Sequence, residues 1–472
     1  MNVLNEKTAN LTNRPTTERI LQFGEGVFLR GFIDTFIDQA NTQGHMDAGV
    51  LVVQPKGYFK EMLDRINDQN GLYTMVLRGL EKGQEVNQKT IIKSLTRCIN
   101  PEADYAGYIR NVENPDLQVI ISNTTEAGIA YAPSTLEEMP ATSFPAKVCQ
   151  FLFRRYQFFD GAQDKGFVFV PCELIDDNGL KLKELVLRYA SEWNLPAEFA
   201  AWVESANTFC STLVDRIVAG YPADEAEKIW AELGYQDNLL NTAEVFHFFA
   251  IEAPADRLAH VQAVFPIHKI SDNIIWTDDI SPYKARKVRL LNGGHTMSVL
   301  AAHLAGHEIV GDMMADADFA KLLNTAMYDE IIPTLDLPTQ ELTDFADSVV
   351  DRFKNPFIKH QLLSIAMNSV SKWKVRVLPS VLEYKARKGE LPKALTFSLA
   401  ALIAFCNTDK INDDQDIMDF FAGKPTAKDT LANAHFWGQD LTQVEGLLSA
   451  VETHLAVIAT DGVKAAMKSV IA

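Results

Sequence analysis

The chain has 472 residues, 47% hydrophobic and 22% charged, which is the composition of globular domains and a length that predicts two or three of them. Its formal net charge of -18 excludes nucleic acid and anionic membranes as general partners, and requires a local positive pocket for any small anionic ligand. The longest apolar-rich piece, Ala394 to Phe405, falls short of the about 18 residues a membrane span needs.

The amino terminus, Met1-Asn2-Val3-Leu4-Asn5-Glu6-Lys7, lacks the basic-then-apolar layout of a signal peptide, so a cytoplasmic location is expected. Cys98, Cys149, Cys172, Cys210 and Cys406 are scattered and odd in number, without a C-x-x-C pair or a histidine at ligand spacing. Core thiols are expected, with neither a disulfide framework nor a metal site.

Arg19 to Phe23 is a short apolar run ending at Gly24-Glu25-Gly26, and Val27 to Ala40 then carries helical spacing through Phe28, Phe32, Ile33, Phe36 and Ile37. Strand, glycine turn and helix predict a pyrophosphate site, where backbone N-H groups and the positive helix end face the ligand. The fingerprint is incomplete, because the third glycine position holds Leu29, with Gly31 two residues later. Gly49 to Val53 is the next buried strand. It is followed by Gln54-Pro55-Lys56-Gly57, where a carboxylate would hold the ribose of NAD and a cation would suit the 2′-phosphate of NADP. That local chemistry leaves both cofactors open.

Tyr73 to Leu77 and Thr90 to Ile92, joined through Gly79 and Gly83, predict extended pieces or a hairpin added to the sheet. Leu117 to Ile121 is a stronger strand. It ends in the polar loop Ser122 to Gly128, placed where an α/β sheet binds ligands, although its Ser, Asn and Thr would equally cap a helix. Phe167 to Val170 opens another buried strand, followed by Cys172-Glu173-Leu174 and a helix through about Trp193.

Beyond residue 280 valine and isoleucine runs become scarce, and Lys287–Leu304, Phe319–Leu335, Ile358–Trp373 and Leu391–Phe405 carry helical spacing. The pattern predicts an α/β Rossmann-like nucleotide-binding domain with sheet extensions over 1–280, followed by a mostly α-helical domain for substrate and catalysis over 281–472, the two facing across a cleft.

Four cations crowd into six positions, Lys284, Arg286, Lys287 and Arg289, just ahead of Leu290-Leu291-Asn292-Gly293-Gly294-His295. At about 100° per residue Lys284, Lys287, Leu291 and His295 share one helix face, with Asn292 at its edge. An ammonium, an amide and an imidazole suit alcohol and ketone chemistry without a metal: Lys287 as acid/base, Asn292 steadying the alkoxide, His295 orienting the substrate. The neighbouring cations and burial would lower the Lys287 pKa, and the paired glycines would let a ligand approach the backbone. A solvated basic helix start with a glycine break explains the spacing as well.

The pattern Pro-Tyr-x-x-x-Lys-x-Arg-Leu-Leu-Asn-x-x-His over Pro282 to His295 resembles the catalytic motif of the long-chain mannitol dehydrogenase family. Gly24, Gly26, Phe28 and Arg30 match the family's Gly-x-Gly-x-Phe-x-Arg. The resemblance implies NAD, held by Gln22, Phe23, Gly24, Glu25, Gly26, Val27, Phe28 and Arg30, with Asn123 and Thr124 lining it. Leu174 stands where polyol-oxidising relatives carry a second alkoxide-binding Asn, so either Asn292 acts alone or Asn178 supplies that amide. Asp215 and Arg216 fall in the family's Val-Asp-Arg-Ile segment and are expected to form an internal ion pair.

Two departures bear on the substrate. Polyol dehydrogenases resemble Pro-Tyr-Glu-Glu-x-Lys where this chain has Pro282-Tyr283-Lys284-Ala285-Arg286-Lys287. They also grip hydroxyls with an Arg and a Lys where this chain has Ser364 and Lys372. Cations in place of carboxylates favour an acidic sugar, bound by Lys284 or Arg286, with Lys284 preferred because it shares the face of Lys287. The expected reaction is NAD-linked interconversion of D-altronate and D-tagaturonate. Its rivals are the mannonate/fructuronate pair, a neutral polyol, and a dinucleotide-sensing regulator without chemistry.

Overall fold

The computed structural model describes every residue of the chain except 10, 12, 13, 56, 58 and 126. Lys56, and Glu126 in the loop after residue 121, therefore lie outside the described residues. The chain divides into two compact units: Met1–Arg78 with Val86–Ile280, and Gly79–Glu85 with Ser281–Ala472.

The first unit is built on strands β1 (Glu18–Phe23), β2 (Gly49–Val53), β3 (Tyr73–Glu81), β4 (Gln84–Ile92), β5 (Leu95–Ile99), β6 (Val119–Ser122), β7 (Val168–Pro171) and β8 (Thr208–Phe209). It is completed by β9 (Ser211–Asp215), β10 (Val218–Gly220), β11 (Asn241–Ala243), β12 (Phe248–Glu252) and β13 (Ile274–Thr277). Six of them pair in the order β5-β2-β1-β6-β7-β8, and every pair is parallel. The chain leaves β1 toward β2 on one side and returns to β6 on the other, so the strand order reverses beside β1. That reversal opens the crevice in which α/β sheets bind ligands.

Both faces of the sheet are covered, which is why its strands are continuous apolar runs. Ile20, Val50, Val52, Ile121 and Val170 enter one core beneath a helix that includes Ile33, Phe36 and Ile37. Leu21, Leu51, Val53, Ile120 and Phe169 enter the opposite core, with Phe144, Phe151, Leu182 and Val186. The alternation is the period-two geometry of a strand expressed on two buried faces.

The predicted hairpin exists as β3 and β4, but it does not extend the parallel sheet. It belongs to a separate four-stranded sheet ordered β10-β11-β3-β4, while β13-β12-β9 forms a third. Valine and glycine content marks strands but carries no record of which strand they pair with.

The helix predicted from Val27 to Ala40 is two helices, α1 (Val27–Gly31) and α2 (Ile33–Thr42), broken at Phe32, whose φ of -120° and ψ of -94° leave the helical region. Asp34 on α2 is fully buried. Its Oδ2 accepts from Gln22 Nε2 at 3.2 Å, while its Oδ1 and Gln22 Oε1 have no hydrogen-bond partner. Burial pushes the Asp34 carboxyl up to about 7, against the opposing pull of Gln22 and Arg30.

The second unit is helical. Its longest apolar run becomes α9 (Lys393–Cys406), in which nearly every side chain is buried, as expected of a helix apolar all round. Among the described residues no helix is long and apolar enough to cross a membrane. The N-H groups of Ala394 and Leu395, which a helix start leaves unpaired, donate to the Glu330 carboxylate at 2.8 and 2.9 Å. Burial raises that carboxyl to about 7 as well.

These buried acids set a pH dependence of stability. Each has a folded-state pKa above its unfolded value, so between about pH 4 and 7 the native state holds a proton that the unfolded chain has released. Stability therefore falls as pH rises through that window and levels off above it, by about 1.4 kcal/mol per pH unit for each group. Asp34→Asn removes one of these contributions. Its denaturant midpoint is expected to depend less steeply on pH between 4 and 7 than that of the parent, and equal slopes would contradict the assignment.

Candidate active site

The glycine turn follows β1 at the point of strand reversal. Gly24 has a φ of +129°, and a Cβ on it would lie 2.9 Å from the Asn123 carbonyl oxygen, so both its torsion and the neighbouring β6 loop require glycine. Gly26 has open space where a side chain would be. The turn thus fits the close approach of a pyrophosphate.

Its supports are polar and buried. Gln22 Nε2 donates to the Gly24 carbonyl at 3.1 Å. Arg30, expected to touch the cofactor, is instead buried: Nη1 donates to the Leu239 carbonyl at 2.7 Å and Nε to the Glu25 carbonyl at 3.3 Å. The Phe23 ring likewise packs in the core against Tyr108 and Phe144. Among the expected contacts, Gly26 and Val27 are exposed and Glu25, Phe28, Asn123 and Thr124 are half-buried.

Two further groups organise this edge. Glu173, buried after β7, accepts from Ser122 Oγ at 3.0 Å and from both the N-H and the hydroxyl of Thr124 at 2.9 Å. Gln54 is equally buried. Its oxygen accepts from Asn100 Nδ2 at 2.7 Å and its nitrogen donates to the Phe59 carbonyl at 3.0 Å. The first residue beyond β2 is thus an amide used inside the fold. Nothing in the run Gln54-Pro55-Lys56-Gly57 announces its partner, which is 46 residues away.

Asn178 begins α4 (Asn178–Glu192) as a cross-brace. Its Nδ2 donates to the carbonyls of Pro171 and Glu173 and to Thr212 Oγ1, and its Oδ1 accepts from the N-H groups of Gly179 and Thr212. With donors and acceptor committed, Asn178 has no amide left for an alkoxide, which favours the alternative in which Asn292 acts alone. Leu174 is 66% exposed. Arg216, of the segment expected to form an internal ion pair, donates to the carbonyls of Gly31, Val245 and Phe246.

In the second unit the catalytic motif starts as α5 (Ser281–Arg286), continues as a π-helical turn over Lys287–Asn292, and becomes α6 (Gly293–Leu304). Such turns store a wider backbone and recur at functional sites. In an α-helix residues five apart point about 140° away from each other, whereas hydrogen bonds spanning five residues bring them to about one turn's separation. Lys287 and Asn292 are therefore closer in register than uniform helical spacing predicts, and His295 follows one α-turn later.

Lys287 is half-buried. Among the described residues the Asn292 side-chain amide has no hydrogen-bond partner, while the Asn292 carbonyl accepts from Thr296 Oγ1 at 2.8 Å. The His295 ring stacks on Phe353 with centroids 3.8 Å apart, lies 5.3 Å from the His360 ring, and leaves Nδ1 buried without a partner. Burial first, then His360, Arg352 and Arg376, hold its pKa well below the ordinary value. The imidazole is therefore neutral at pH 7, with one donor and one acceptor to offer.

The cation cluster is less uniform than its sequence. Arg286 is buried, paired to Glu341 at 2.6 Å, and lies over the rings of Phe345 and Tyr283. It is built into the fold rather than offered to a substrate carboxylate. Arg289 donates to the Thr334 carbonyl at 3.1 Å. Lys284 is exposed. Gly293 and Gly294 are buried in helix, and a Cβ on Gly293 would lie 3.0 Å from the Arg376 carbonyl oxygen, so at Gly293 the missing side chain admits another backbone rather than a ligand. Lys372 donates to the Ile365 carbonyl at 3.0 Å.

Comparison with known proteins agrees with both halves of this description. Residues 18–261 match the mannitol dehydrogenase Rossmann domain and 279–459 the mannitol dehydrogenase C-terminal domain. The chain is 46% identical to an altronate oxidoreductase of Cronobacter sakazakii (strain ATCC BAA-894), covering 98% of this chain and 99% of that protein. It is 44% identical to one of Escherichia coli O7:K1, with the same coverage. Among solved structures, a substrate-free D-sorbitol dehydrogenase superposes with a TM-score of 0.79 at 22% identity, covering 98% of this chain and 100% of that one. A Pseudomonas fluorescens mannitol 2-dehydrogenase in ternary complex with NAD and D-mannitol gives 0.67 at 20%, covering 99% of each. With both family domains matched in order and near-complete coverage of its relatives, the chain belongs to the mannitol dehydrogenase family.

Proposed function

We propose that the protein is a dehydrogenase that interconverts D-altronate and D-tagaturonate, with the nucleotide held by residues 1–280 and the sugar acid by residues 281–472. The observation that carries the chemistry is the run of Lys287, Asn292 and His295 on one helix whose π turn draws the first two into register. The substrate assignment draws on the altronate oxidoreductases that match the chain almost end to end. A pyridine nucleotide, most simply NAD, supplies or accepts the hydride when bound.

The chain's own residues handle the oxygen. In the reductive direction Lys287 Nζ protonates the alkoxide oxygen, and in the oxidative direction it removes the hydroxyl proton. The Asn292 amide donates to that oxygen as negative charge develops, which stabilises the transition state more than the ground state. Neutral His295, fixed against Phe353, orients a substrate hydroxyl. Gly24 and Gly26 admit the pyrophosphate, with Asn123 and Thr124 along its edge and Glu173 holding their loop.

Lys287→Ala is expected to lower kcat by roughly 10²- to 10⁴-fold while NADH binding, followed by fluorescence, stays within about twofold. Retained turnover would remove Lys287 from the proton transfer. Initial rates of NADH oxidation with tagaturonate, fructuronate and fructose identify the substrate. Tagaturonate is expected to give the highest kcat/KM, and a preference for fructuronate or fructose would reassign the protein to the mannonate series or to neutral polyols.

A further inference from the structure

Helix α8 (Ser369–Arg376) starts from Asn368, which sits at a φ of 53° and ends the preceding chain abruptly. Lys372 and Arg376 are four residues apart, so they share one face, where like charges oppose each other. The end of α8 is tied to the start of α6 twice. The Arg376 carbonyl oxygen occupies the space that a Gly293 side chain would take, and Arg376 Nη1 donates to Thr296 Oγ1 at 3.3 Å. Thr296 follows His295 and bonds back to the Asn292 carbonyl, so the Arg376 guanidinium is anchored beside two of the three motif residues.

Arg376 differs from the arginines of the motif. Arg286 is paired to Glu341, and Arg289 donates to the Thr334 carbonyl. Arg376 is half-buried, and among the described residues its guanidinium has no carboxylate partner and only the hydroxyl of Thr296 as an acceptor. Burial lowers its pKa, and Lys372 is lowered by burial and by Arg376 in turn. The groups acting on His295 are His360, Arg352 and Arg376, with no acid among them. Beside the neutral imidazole, most of the Arg376 guanidinium fork is thus unused among the described residues.

We propose that Arg376, supported by Lys372, binds the carboxylate of the sugar acid and so selects acids over neutral polyols. The assignment rests on the altronate/tagaturonate reading for the identity of the acid. A guanidinium fork matches a carboxylate with two parallel hydrogen bonds, a geometry unavailable to single hydroxyls. The guest also relieves the repulsion between Lys372 and Arg376. Of the two cations that the sequence favours for this task, Arg286 is paired to Glu341 within the fold and Lys284 is exposed.

The test is equilibrium binding by calorimetry of D-altronate and of its neutral counterpart D-altritol to the NADH-loaded protein, for the parent, Arg376→Met and Arg376→Lys. The parent is expected to prefer the acid. Arg376→Met should weaken altronate on the order of 10²-fold and altritol by less than about threefold, and Arg376→Lys should recover about tenfold of the loss. If the Met variant no longer binds NADH and so has not folded, Arg376→Lys against the parent decides. A loss confined to altronate supports the assignment, and equal losses for both ligands overturn it. Unchanged acid preference in Arg376→Met also overturns it. Because binding is measured without turnover, a parent that binds altronate through Arg376 yet reduces no tagaturonate would refute the proposed reaction and leave the carboxylate site standing.

Discussion

Backbone hydrogen bonds that reach across five residues between Lys287 and Asn292 set the register on which the polar chemistry of the carboxyl-terminal unit depends. With uniform α-helical bonding, the side chains of Lys287 and Asn292 would leave the helix about 140° apart. The wider turn corrects this within one continuous rod, so the two groups are held by secondary structure rather than by a loop. A rigid element places catalytic groups to within fractions of an ångström, which is the tolerance that proton transfer demands.

The glycine turn in the amino-terminal unit achieves precision differently. Its backbone is suspended over buried side chains, Gln22, Arg30 and Asp34, that share hydrogen bonds with its carbonyls and with each other. Two buried oxygens in this group lack partners, a cost that a neutral carboxylic acid at Asp34 lessens. The loop from β6 is held in parallel fashion by the Glu173 carboxylate. Buried polar groups thus hold both loops from behind, while the Gly26 position stays open to a ligand.

Much of this was legible in the sequence, for identifiable reasons. The parallel strands announce themselves because both faces are buried and their apolar runs are unbroken. The family follows from the Lys287, Asn292, His295 spacing and the glycine turn. What escaped was whatever depends on partners distant in the chain: the separate sheet of the β3–β4 hairpin, the pairing of Gln54 with Asn100, and the burial of Arg30. Arg286 reads as a member of a basic cluster, yet its charge is met by Glu341, 55 residues later. Conversely, Arg376 carries no signal in its own neighbourhood, where Lys372, Lys374 and Arg376 look like a solvated helix face. The π turn is likewise invisible to a periodicity that assumes one repeat throughout.

The packing of Gly293 has a consequence for how such a protein diverges. What fills the space above that glycine is the main-chain oxygen of residue 376, and every amino acid possesses one. The main-chain half of the seam between α6 and α8 is thus indifferent to the side chain carried at 376, and only the hydrogen bond to Thr296 depends on it. On the assignments proposed above, acid binding at Arg376 and proton transfer at Lys287 fall on different helices, so a change of side chain at 376 alters the charge offered to the sugar while the backbone packing over Gly293 stays in place.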